Sequence, residues 1–171
     1  MKNRLFVVVL LTTVSCSVQA EWAGGVGYTN ISDSADGIDI SLNALTGTFG
    51  YAFAVSEIAT IVPEIRVGFG IGDDSVEVFG LPADVKLKSL VAVSVRAQFD
   101  YASGLYVYLQ PSYANLDLEV SSMGLSGSED AWEFGLGGGM GYNFSDRLGA
   151  ELGYESFDGT NVISAGLRFQ F

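Results

Sequence analysis

Apolar and polar residues alternate along most of this chain with a period of two, the signature of β-strands with one apolar face. The pattern is clearest at the end. Within Asn161 to Phe171, Ile163, Ala165, Leu167, Phe169 and Phe171 share one face, and Val162, Ser164, Gly166, Arg168 and Gln170 share the other. Seven further segments are predicted upstream: about Trp22–Asn30, Ile38–Phe53, Ile58–Phe69, Val85–Phe99, Leu105–Leu116, Ala131–Phe144 and Leu148–Phe157. In the sixth, Trp132, Phe134, Leu136, Met140, Tyr142 and Phe144 oppose Glu133, Gly135, Gly137, Gly139, Gly141 and Asn143. In the fourth, Val85, Leu87, Val91, Val93, Val95, Ala97 and Phe99 oppose Lys86, Lys88, Ser94, Arg96 and Gln98. The second segment changes phase. Ile40 and Leu42 use even positions and Leu45, Phe49, Tyr51 and Phe53 odd ones, so a bulge is expected near Asn43-Ala44.

The connections alternate in length. Val55–Glu57, Asp100–Gly104 and Ser145–Arg147 are short; Ile31–Gly37, Gly70–Asp84 and Asp117–Asp130 are longer and rich in Gly, Ser and Asp. Only the last connection, Asp158–Thr160, breaks that contrast. Trp22, Tyr51, Phe53, Phe99, Tyr142, Phe144, Phe169 and Phe171 fall toward the short-turn end, and Tyr28, Phe69, Tyr113, Trp132 and Tyr154 toward the other. Alternating faces, short turns at one end, longer loops at the other and two aromatic belts are the pattern of an antiparallel transmembrane barrel. The prediction is therefore all-β: an eight-stranded antiparallel up-and-down transmembrane β-barrel.

The first twenty residues read differently. Lys2 and Arg4 precede the apolar run Leu5–Leu11, and Val18-Gln19-Ala20 offers a small-residue cleavage site. This is the layout of a secretory signal peptide, and the run is far too short to span a bilayer. The organisation expected is a signal peptide over 1–20 and a barrel domain over 21–171. Cys16, the single cysteine, lies in the leader; a lipidated Cys16 is the rival reading, on a loose match at Thr13-Val14-Ser15-Cys16.

The whole chain carries a formal charge of −12, and loss of Lys2 and Arg4 makes the remainder more acidic. Such a surface excludes nucleic-acid binding, which needs cations to neutralise phosphates. There is no His, which excludes Ser-His-Asp chemistry. No zinc, calcium-loop or phosphate-loop pattern is present, and no metal or cofactor is expected. The predicted inward charges are Glu64, Arg66, Arg96, Glu133, Glu151, Glu155 and Arg168. In a lumen that eight strands leave largely filled by side chains, they should pair, because an isolated buried charge is costly. Gly135, Gly137, Gly139 and Gly141 form an inward stripe that leaves room for larger partners. At the loop end, Asp33, Asp36, Asp39, Asp73 and Asp74 are candidates for divalent-cation bridging to lipopolysaccharide phosphates, set against a plainly solvated acidic face. Lys86 and Lys88 are candidates for contact with an anionic lipid headgroup.

Five stretches then carry a family resemblance: Trp22–Tyr28 (WAGGVGY), Gly47–Tyr51 (GTFGY), Gly137–Ser145 (GGGMGYNFS), Leu148–Tyr154 (LGAELGY) and Gly166–Phe171 (GLRFQF). Over residues 21–171 the chain resembles the OmpA-like small-barrel superfamily of outer-membrane proteins, which includes the opacity-type proteins. The resemblance implies a bacterial outer-membrane location and insertion by the outer-membrane assembly machinery. Leu167, Phe169 and Phe171 would then carry the assembly signal. Lipopolysaccharide and outer-membrane lipids would surround the barrel, which is expected to be a monomer with any extracellular ligand unspecified. Two functions remain open: a non-enzymatic structural or surface-interaction barrel with a plugged polar lumen, or a small pore or hydrophobic-ligand transport channel.

Overall fold

The computed structural model describes residues 20–35, 38–72, 74–78, 81–122 and 125–171. The leader expected over 1–20 lies outside them except for Ala20, the first residue of β1. The strands are β1 (Ala20–Ala35), β2 (Ile38–Ala54), β3 (Ala59–Gly70), β4 (Asp74–Val78), β5 (Leu81–Ala102), β6 (Leu105–Ser122), β7 (Leu125–Ser145), β8 (Leu148–Ser156) and β9 (Thr160–Gln170). All pairings are antiparallel between neighbours, β1 pairs with β9, and β3 pairs with β5, so eight strands close into a barrel. Closure leaves the membrane-embedded backbone no unpaired edge, the condition for crossing lipid with strands. β4 is an addition: it pairs with Leu81–Val85 of β5, continuing the line of β3 within the connection expected to be a loop. The other long connections are also mostly strand. β1–β2 stays paired to Ala35↔Ile38, and β6–β7 to Ser122↔Leu125.

The apolar faces point outward. Val26, Phe49, Ile65, Val93, Leu109, Phe134, Leu152 and Ile163 are all exposed, as lipid-facing residues of a barrel must be. Two of the three prolines lie in this wall. The β2–β3 ladder lapses opposite Pro63 and the β5–β6 ladder lapses opposite Pro111, since proline has no N–H to give. Rings cluster at the short-turn end, where Trp22 stacks on Phe49 and packs edge-on to Tyr51. At the loop end Tyr113 stacks on Trp132, and the Tyr28 and Tyr154 hydroxyls donate to Asn43 (2.7 Å) and Asn161 (2.6 Å). Amphipathic rings at these depths keep their bodies in lipid and their polar tips at its edge. Phe171 lies at the seam, its N–H and C=O exchanging hydrogen bonds with Trp22 (3.0 and 3.1 Å).

Two local expectations are corrected. β2 has no bulge at Asn43-Ala44: its register with β1 is unbroken from Ile38 to Phe53. Leu42 and Ala44 simply point inward, into an apolar layer of the lumen that alternation alone does not reveal. The bulge is in β5, where Leu87 pairs with Leu118 and Ser89 with Asp117, leaving Lys88 as the extra residue. Val85 and Leu87 are therefore buried inside the barrel, while Lys86 and Lys88 are exposed on its outside. Lys88 Nζ lies 3.0 Å from Glu119 Oε2.

Candidate functional site: the layered lumen

Inward side chains form three layers. At the short-turn end is an open polar vestibule, with Thr60, Gln98, Asp100, Asn143 and Gln170 on its wall. The loop end is apolar: Ile31, Leu42, Leu87, Leu90, Ala114 and Val162 pack together. Between them lies a compact cluster of three arginines and three glutamates.

The cluster bridges the lumen. β3 and β8 stand four places apart in the eight-strand ring, hence on opposite walls. Arg66 on β3 pairs with Glu155 on β8, whose other oxygen accepts a hydrogen bond from Ser112 Oγ (2.6 Å). Arg96 on β5 holds Glu151 on β8 through both of its terminal nitrogens, the second at 3.1 Å. Arg168 on β9 reaches back to Glu64 on β3, with both terminal nitrogens 3.2 Å from Oε2. Longer contacts tie the pairs together: Arg96 to Glu64 Oε1 (3.7 Å) and Arg168 to Glu151 (3.8 Å). Neutral groups complete it. Tyr106 OH donates to Glu151 (2.8 Å), Arg96 Nε donates to Gln110 (3.3 Å), and Arg96 lies 3.9 Å above the Tyr108 ring. Equal numbers of acids and bases make the cluster formally neutral, which is what makes ionised groups tolerable in a low-dielectric interior.

The glycine stripe on β7 is the space these side chains occupy. A Cβ at Gly141 would collide with the hydroxyl end of Tyr106, and one at Gly139 would meet the Leu152 carbonyl and Tyr108. At Gly137 it would meet Glu155, and at Gly135 it would lie 2.5 Å from the Phe157 ring. Strands β1, β2 and β9 also carry small groups there, Gly25, Gly27, Thr46, Thr48 and Ser164. Only about 60 Å³ is left free beside the cluster. That is room for about two waters.

Six of the seven predicted inward charges meet in this cluster; Glu133, half-buried, stands apart on the wall of a cavity nearer the loop end. Asp33 accepts a hydrogen bond from Thr160 Oγ1 (2.9 Å) and bounds the same cavity. Asp39 and Asp74 fall in β2 and β4, and Asp36 and Asp73 lie outside the described residues. Among the described residues no three acidic, His or Cys side chains converge as metal ligands. Leu167 and Phe169 face outward on β9, and Phe171, just past its end, is exposed. Sequence reasoning places Tyr106 opposite the glycine stripe but does not single out Gln110 and Ser112, although each falls on the inward face of β6.

Comparison with solved structures finds the same fold. Ail, the attachment invasion locus protein of Yersinia pestis, aligns at TM-score 0.63 with 17% identity, covering 89% of this chain and 99% of that one. It was solved both alone and with the heparin analogue sucrose octasulfate. Neisserial surface protein A aligns at 0.59 with 13% identity, covering 89% and 99%. The N-terminal β-barrel domain of Pseudomonas aeruginosa OprF aligns at 0.55 with 13% identity, covering 90% and 100%. No curated protein sequence matches. The family model described as "Outer membrane protein beta-barrel domain" matches residues 6–171. A lipid-facing belt, a closed eight-stranded wall and that match together place the chain in the bacterial outer membrane, as a member of the outer-membrane β-barrel domain family.

Proposed function

We propose that this small non-enzymatic barrel is a closed surface scaffold. In this reading Glu64, Arg66, Arg96, Glu151, Glu155 and Arg168 form a plug that fixes strand register, and partners are met at the loop end. The observation that carries it is the set of ion pairs joining opposite walls, which fill the cross-section with neutralised charge. The test is planar-bilayer conductance of the refolded protein. A silent barrel is expected; stable stepwise currents that vanish when the lumen is blocked would favour the second reading, a small pore. That alternative draws on the void of about 60 Å³ beside the cluster.

The lipid around the barrel includes lipopolysaccharide in this reading, met from outside the wall by Lys86 and Lys88. The chain's acidity bears on its partners. Ail was solved with a polyanionic heparin analogue, whereas this chain has a net charge of −12. A partner at its loop end would be cationic, or bridged by divalent ions at Asp33, Asp36, Asp39, Asp73 and Asp74. Leu167 and Phe169, outward on the closing strand, and Phe171, just past its end, serve in this reading as the signal read by the assembly machinery. The leader over 1–20 is removed on export, and the barrel acts as a monomer.

A further inference from the structure

The apolar layer at the loop end is not fully packed. A cavity of about 250 Å³ lies beyond the charge cluster, walled by Leu90, Ala114, Leu116, Phe157 and Val162. That is just under the range of drug-sized sites, about 300–1,000 Å³, so its occupant is small. Its wall is built in: the Phe157 ring rests where Gly135 has no side chain.

The barrel wall is lowest beside this cavity. β8 ends at Ser156 and β9 begins at Thr160. On one side, β7 continues from its last β8 pairing at Leu136 to Leu125; on the other, β1 passes its last β9 pairing at Asp33 to reach Ala35. The short β8–β9 hairpin thus leaves a notch between two taller neighbours, and Phe157 and Thr160 lie both at the notch and on the cavity wall.

The charges facing the cavity have one sign to spare. Among the described residues Arg66 is the single base that lines it, and it is held by Glu155. Glu133 stands on the wall, half-exposed and outside the cluster, and Asp33 stands at the rim with Thr160. An anionic amphiphile would meet two carboxylates and no uncommitted cation. A neutral one would leave Glu133 without a charge-assisted contact. We infer that this cavity is a binding site for small amphipathic cations, primary amines bearing one ring or a short alkyl chain, with Glu133 receiving the ammonium group. The apolar body lies against Leu90, Leu116 and Phe157. The site adjoins the cluster at Arg66 and stands whether or not ions pass the lumen.

The probe is 2-phenylethylamine, titrated into the refolded full chain in phosphatidylcholine nanodiscs while the methyl resonances of Leu90, Leu116 and Val162 are followed. Saturable shifts are expected. 2-Phenylethanol should bind about tenfold more weakly, the worth of one charge-assisted contact, and 3-phenylpropionate should give no saturable shift. Glu133→Gln should weaken the amine about tenfold and bring it level with the alcohol. Ala114→Leu, which fills the cavity, should abolish the shifts; if it fails to refold, Glu133→Gln decides alone, since that side chain is half-exposed and outside the cluster. Non-saturating shifts, equal binding of the carboxylate, or an amine affinity unchanged by Glu133→Gln would overturn the assignment.

Discussion

At the scale of single residues, the lumen separates groups that look alike in the sequence. Glu133 and Glu155 are both inward acids on strands that alternate cleanly. Only Glu155 is buried against an arginine. Replacing it with Ala leaves Arg66 charged and without that partner, a loss of about 3–5 kcal/mol. Glu133→Gln changes stability by less than about 0.5 kcal/mol, the ordinary range for groups outside such networks. Equilibrium urea unfolding in lipid vesicles measures both. Glycines divide in the same way. Gly139→Ala drives a methyl group into the Leu152 carbonyl and costs about 2 kcal/mol or more, whereas at Gly47 the nearest atom lies 3.9 Å from the new Cβ and the change is nearly neutral. Alternation assigns Glu133, Glu155 and Gly139 to a face, but a face is a direction and not a distance. What each side chain meets depends on strands remote in the chain.

At the scale of elements, β5 carries an extra residue and β9 closes the ring against β1. The phase change in β5 is genuine, and its location follows from the apolar layer. Val85 and Leu87 face inward below the bulge and Leu90 and Ala92 above it, so one extra residue must be accommodated between them. Deleting Lys88 removes that residue and keeps every other side chain on its present face. Deleting Val91 instead flips one side of the strand relative to the other, because the side-chain period is two. The Lys88 deletion should give a folded barrel, seen as a gel band whose mobility shifts on boiling, and the Val91 deletion should not. The apparent phase change in β2 arises because Leu42 is apolar without facing lipid; it is an inward residue of an apolar stratum. Just past β9, Phe171 is 65% exposed and hydrogen-bonded to Trp22 through its backbone. Phe171→Ala therefore keeps those hydrogen bonds. It should slow folding assisted by the assembly machinery far more than unassisted folding into thin-bilayer vesicles, a comparison read from the two folding rates.

At the scale of the whole molecule, closure of the ring brings β3 opposite β8 and turns separate charges into a cluster. The wild-type barrel should be silent in a planar bilayer. Arg96→Ala combined with Glu151→Ala removes the central bidentate pair and its contacts to Gln110 and Tyr106. It should admit a small stepwise current while the lipid-facing wall stays intact; a current of equal size from the wild type would contradict the plug. Strand number, the lipid-facing side of most strands, the two aromatic belts and the inward charges were legible along the chain, because all follow from local alternation and turn spacing in a medium that demands an apolar exterior. The stagger between strands is not local. It sets which arginine meets which glutamate, why Glu133 is left out, which residue of β5 is extra, and that the loop end of the lumen is apolar and partly open. Those outcomes needed the closed barrel, since each depends on the distance between residues that only the ring's register brings face to face.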